Sequence, residues 1–194
     1  FVDAVLTTDQ KTMYYVMAIS HVSPNGTFTF DTNNFYYGDQ KVTFDTTDLT
    51  KVNSITDGAG NIDGEIRDNL FISLYRSNAA GVITPLNSSV MPHVLLGGVD
   101  IDPALRWPST GRQMNGMAFA IIKLRYSVND QVTGLAPITF ACKQTLFAFS
   151  AARPGDVLYD YLTNEIYGGA VPAANVNSTE CDALNLYSDA TITY

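Results

Sequence analysis

Short runs of β-branched and aromatic residues, cut apart at close intervals by turn residues, constrain this chain more than any other feature. Residues 27–30, 35–37 and 41–44 are rich in Thr, Phe, Tyr and Val, and Pro24-Asn25-Gly26, Asn33-Asn34 and Gly38-Asp39 separate or bound them. Such side chains fit a pleated, half-buried surface, while Gly, Asn and Pro supply turn conformations. A meander of hairpins is predicted. Residues 70–75 read as a further strand, which Asn78-Ala79-Ala80-Gly81 turns back into residues 82–84. Residues 92–112 carry three prolines and Gly97-Gly98, and read as an irregular connection. Helical patterning begins only after Arg153. The expected class is therefore α+β, mainly antiparallel β in a meander or barrel-like body over residues 1–140, with a strand and short helices over 141–194.

The 194 residues are 46% hydrophobic and 15% charged. A chain of this size buries about two-thirds of its unfolded surface, enough for a substantial core. No run of about eighteen apolar residues is present, so no membrane-spanning helix is expected. The start lacks the basic and apolar regions of a secretory signal. Phe1 is read as the start of a piece of a longer chain. With a net charge of −8 and eleven basic residues, the surface is unsuited to gripping nucleic acid, because affinity for phosphate backbones comes largely from Lys and Arg displacing counterions.

Residues 154–173 carry the most specific local pattern. Pro154 can open a helix, since its missing N–H is one the first turn leaves unpaired, and Asp156 sits favourably at the positive end of the dipole. Val157, Leu158, Tyr161 and Leu162 follow at helical spacing as one apolar stripe that must bury against a neighbour. Asn164 and the Gly168-Gly169 pair are expected to end the segment through glycine's access to positive φ. A second short helix is predicted over residues 176–188.

This phrase, Leu158-Tyr159-Asp160-Tyr161-Leu162-Thr163-Asn164 followed by Tyr167-Gly168, resembles a signature of the central tail-tip proteins of long-tailed phages, the family of the lambda tip attachment protein. Two upstream strands are similar to further family elements in the same order. Residues 115–126, running from Asn115-Gly116-Met117-Ala118 to Leu124-Arg125-Tyr126, match a Gly-x-Ala…Leu-x-Tyr strand. Residues 133–140, Thr133-Gly134-Leu135-Ala136-Pro137-Ile138-Thr139-Phe140, match a Gly-Leu-Pro-x-Ile-Thr strand. Residues 13–20 echo the strand that opens this region. One departure is clear. The family follows its Ile-Thr strand with a Lys-Gly turn, whereas this chain reads Ala141-Cys142-Lys143-Gln144-Thr145, so the local turn must differ.

The resemblance implies a virion structural role, with a β-rich body in a threefold hub at the distal end of the tail. Its implied partners are further copies of itself in a homotrimer, distal tail and tail-tube proteins, the tail fibre and, indirectly, the host surface. DNA would be met only in passage, and the acidic charge suits a wall past which DNA slides. Family proteins are several times longer than this chain. Interface burial rather than bond chemistry is the implied mechanism, with Val157, Leu158, Tyr161, Leu162 and Tyr167 as packing candidates and no cofactor, metal or catalytic residue.

Other candidates have simpler structural readings. His21 and His93 lie in no catalytic or metal motif. Residues 57–68 resemble a calcium loop at Asn61, Asp63 and Gly64, but Ala59 and Leu70 stand where the first ligand and the bidentate carboxylate belong, so an acidic hairpin turn is expected. Asp100 and Asp102 could in principle split acid and base roles as in a cell-wall hydrolase, yet Pro103 marks them as turn residues. Three glycan-acceptor patterns, at Asn25, Asn87 and Asn177, are expected by chance. Cys142 and Cys181 read as two buried thiols, or as one disulfide if the chain is secreted. Trp107 and the tyrosines belong to the core, or line a sugar-binding surface on a secreted β-sandwich, which is the alternative function.

Overall fold

The computed structural model describes residues 3–22, 28–108, 112–128, 132, 134–144, 153–165 and 168–186. In chain order the elements are β1 (Asp3–Leu6), β2 (Thr12–His21), β3 (Phe28–Tyr37), β4 (Gln40–Phe44), β5 (Val52–Thr56), β6 (Ile62–Asp63), β7 (Leu70–Ser77), β8 (Ile83–Pro85), α1 (Pro92–Leu95), β9 (Met117–Arg125), β10 (Ile138–Gln144), α2 (Pro154–Thr163) and α3 (Ser178–Leu186), with a 3-10 turn at Ala173–Asn175. The class is α+β, mainly antiparallel β with short helices, as expected. Two units are distinguished. One comprises Phe1–Pro24 and Thr29–Cys142, the other Asn25–Phe28 and Lys143–Tyr194.

The first unit is built on two five-stranded open sheets, ordered β1-β2-β9-β7-β8 and β10-β3-β4-β5-β6. In the first sheet, β9 joins two hairpins, pairing antiparallel with β2 on one side and β7 on the other. The second contains the expected meander, running β3 to β6 without a crossover.

Period-two alternation along β9 explains how the layers pack, because successive side chains point to opposite faces. Ala120, Ile122 and Leu124 join Ile72 and Leu74 of β7 and Phe35, Val42, Val52 and Ile55 of the other sheet in one buried cluster. The sheets therefore face each other as a sandwich. Phe35 sits at the centre of its aromatic packing, 5.3 Å from Phe44 and 5.1 Å from Phe140 between ring centroids. Phe119 and Ile121 point the other way, into a second cluster with Val5, Val16, Tyr75, Leu96, Ile101 and Trp107. The connection after β8 thus folds over the outer face of the first sheet. This is why β9 reads as a continuous apolar run over residues 117–122: both faces are covered there. Full burial of each such side chain stabilises the fold by about 1.5–3 kcal/mol.

Several expectations are corrected. Asn33-Asn34 does not end a strand; β3 runs through it, with Asp31 accepting hydrogen bonds from the Asn33 backbone and the Asn34 side chain. β10 continues through Gln144, so residues 141–144 are strand where a turn is expected. The irregular connection holds one helical turn, α1, and its Trp107 is core. Strands β1 and β5 are additions to the expected set, each too weakly bounded on its N-terminal side to stand out in the sequence. Asn87, in a glycan-acceptor pattern, is buried. Its amide donates to the Ile72 and Leu49 carbonyls and its carbonyl accepts from the Leu74 N–H. No helix among the described residues is long and apolar enough to cross a membrane.

Candidate functional site

In the second unit α2 begins at Pro154, as predicted, and packs on α3. The contact is close because residue 155 is glycine: a Cβ there would collide with the Cys181 carbonyl. Asn185 of α3 completes the helix start. Its side-chain carbonyl accepts from the Gly155 N–H at 2.7 Å and its amide donates to Asp156 at 2.8 Å. An otherwise unpaired first-turn N–H is thus satisfied from outside the helix.

The predicted stripe does not become a core. Leu158 is 42% and Tyr161 58% exposed, Val157 and Leu162 are half-buried, and Gly155 is the buried residue of α2. Closure against α3 runs through the glycine rather than the stripe, which leaves Leu158 and Tyr161 facing outward. Leu184 and Leu186 of α3 are exposed as well. Tyr167 lies outside the described residues.

The helix also stops differently from expectation. Asn164 is extended, and neither Gly168 nor Gly169 takes a positive φ; Ala170 does, at 50°. After the helix the chain folds back, so that the Gly169 N–H donates to the Tyr161 carbonyl at 2.7 Å and the Val171 N–H to the Leu162 carbonyl at 2.8 Å. Those carbonyls are ones a helix C-terminus leaves unpaired. Gly168 is required by proximity, since a Cβ would strike the Tyr161 carbonyl.

The remaining candidates resolve locally. Cys142 is an exposed free thiol and Cys181 a buried one, correcting the reading of two buried thiols. Asp57 closes the β5–β6 hairpin turn, accepting from the Ala59 and Asn61 N–H groups and the Asn61 side chain. Asp102 accepts from the Ala104 N–H at 2.9 Å, which is turn chemistry, while the exposed Asp100 contributes its carbonyl to the Thr8 N–H. His21 ends β2 and His93 lies on α1. Among the described residues no group of three or more His, Cys, Asp or Glu is arranged to hold a metal.

One concave feature was not foreseen. A cleft of about 180 Å³ opens in the first unit beside the β1–β2 hairpin, and Leu6, Met13, Tyr15 and Leu124 contribute to its lining. Gln10 and Lys11, in the hairpin turn, and Tyr126, Val132 and Gly134, beyond β9, complete it. The turn is held by Asp9, which accepts from the Thr7 hydroxyl at 2.6 Å and the Lys11 N–H at 3.0 Å. Gln10 is locked there at φ 59°, a conformation non-glycine residues seldom adopt. Across the cleft, Ser127 and Val132 exchange backbone hydrogen bonds, and the Tyr37 hydroxyl donates to the Gly134 carbonyl at 2.7 Å. The Thr7 hydroxyl, then the Lys11 N–H, and more weakly the charges of Lys11 and Arg125, hold the Asp9 carboxyl below its ordinary value.

Compared with protein-family models, with curated proteins and with solved structures, the chain matches none of them.

Proposed function

We propose that this chain is a virion structural domain, part of the central hub at the distal end of a long phage tail. There it caps the tail tube, organises distal tail proteins and carries the host-recognition fibre. The observation that supports this reading is the state of the helical signature: Leu158 and Tyr161 are exposed, so the apolar side chains of the phrase remain available to another protein surface. A hub works by such burial, each large apolar side chain taken out of water contributing about 1–2 kcal/mol. A closed ring of copies, three by resemblance, repeats one head-to-tail contact in which this patch of each protomer meets a different surface of the next. The net charge of −8 suits passage of DNA without adhesion.

Immunogold electron microscopy of the source particles, with an antibody against this domain, tests the assignment. Gold at the distal ends of tails is the expected result, and gold elsewhere or only on free protein overturns it. Leu158→Asp charges an exposed position, so the domain should fold while tail completion is lost. Infectious tails from that mutant would count against the hub.

A carbohydrate-binding module is the second reading. The sandwich and its cleft, which Tyr15 and Tyr126 line, favour it. Glycan-dependent retention on a sugar column, lost in Tyr126→Ala, is the result this alternative requires.

A further inference from the structure

We infer that the cleft beside the β1–β2 hairpin is a binding site for a single six-membered ring bearing a carboxylate. Size comes first. A cavity of about 150 Å³ lined by apolar side chains accommodates benzene, so about 180 Å³ holds one ring with a small substituent inside the cleft. The lining then sets the orientation. Leu6, Met13, Leu124 and Val132 form apolar walls, and Tyr15 and Tyr126 add two aromatic rings against which a planar or chair-shaped ring can lie. The polar side chains of the lining, Gln10 and Lys11, come from one turn.

Charge decides the substituent. The chain carries −8 overall, yet among the described residues that line the cleft the charged one is a cation, Lys11. Asp9 has its Oδ1 engaged by the Thr7 hydroxyl and the Lys11 N–H. The Lys11 ammonium makes no ion pair among the described residues. It is free to meet an anion in a charge-assisted hydrogen bond, which is shorter and stronger than a neutral one. Gln10, also in the lining, carries an amide that can donate as well. Leu6 and Lys11 lie on either side of one tight turn, so ring and carboxylate are read by the same structural unit.

An aromatic acid and an acidic sugar share this chemistry, and the test separates them. Two-dimensional amide NMR spectra of the full 194-residue chain are followed while para-hydroxybenzoate or glucuronate is added. Saturable shifts confined to Leu6, Lys11, Leu124, Val132 and their neighbours are expected with one acid or both. Saturation by para-hydroxybenzoate alone identifies an aromatic acid, and by glucuronate alone an acidic sugar. Lys11→Met, an exposed substitution that leaves the core untouched, should weaken binding about tenfold, and para-hydroxybenzyl alcohol, which lacks the carboxylate, should bind the parent chain correspondingly worse. Absence of saturable shifts with both acids overturns the inference. So do shifts away from the cleft, or affinity unchanged by Lys11→Met. The cleft belongs to the first unit and the helical signature to the second, so loss of cleft binding leaves the hub reading standing, and Leu158→Asp should leave the titration unaltered.

Discussion

Asn87 shows how far a single side chain can depart from its local pattern. By sequence it stands in a glycan acceptor. In the fold it is buried and makes three hydrogen bonds to the backbone at Leu49, Ile72 and Leu74. Replacing it with alanine leaves a buried N–H and two carbonyls without that partner, and unpaired buried groups cost about 1–3 kcal/mol each when water cannot reach them. Asn87→Ala is therefore expected to destabilise the chain by about 2–3 kcal/mol, read as a lower urea midpoint with an unchanged slope. Nothing in the tripeptide around Asn87 announces this, because its partners come from β7 and from the loop before β5. Trp107 was legible as a core residue by type alone.

At the scale of elements, turn chemistry was the most readable signal. Gly38-Asp39 and Asn78–Gly81 reverse the chain where they stand in sequence, and Pro154 opens α2. Asn33-Asn34 misled because the Asp31 carboxylate gathers the local donors and lets β3 continue. The helical stripe was readable as a pattern but not in its destination. A period of 3.6 says that a face is apolar, not that something within the chain covers it. Here α3 approaches through Gly155, whose contact with the Cys181 carbonyl leaves no room for a methyl group. Gly155→Ala should cost the helix pair about 1–3 kcal/mol by overpacking, seen as earlier loss of helical circular dichroism on heating. Retention of the parental helical melting curve would show that the backbone contact is not limiting.

For the whole molecule, four surface carboxyls share one condition. Asp9, Asp31, Asp45 and Asp57 are held below their ordinary value of 3.8, chiefly by the Thr7 hydroxyl, the Asn34 side chain, the Asp48 N–H and the Asn61 side chain respectively. Carboxyls depressed on folding contribute stability that is present above the unfolded value and lost as pH falls through the lower folded values. Resistance to urea should hold down to about pH 4 and then decline, and Asp57→Asn should flatten part of that decline. The cleft lay beyond sequence reading for a related reason. Its residues are ordinary in type and come from both sides of the β1–β2 turn, the end of β9 and the loop after it.

The position of β9 has a consequence in time. Register places Val16 opposite Ile121 and Ile72 opposite Ile122, so the hairpins β1–β2 and β7–β8 cannot share a sheet until the strand between them is made, most of the first unit after β2 and one connection after β8. Pairing across such separations closes long loops and is slow. During synthesis the two hairpins wait with bare inner edges, and an unpaired edge is a template for the wrong chain. A protein assembled this way gains from companions that shelter those edges until β9 arrives.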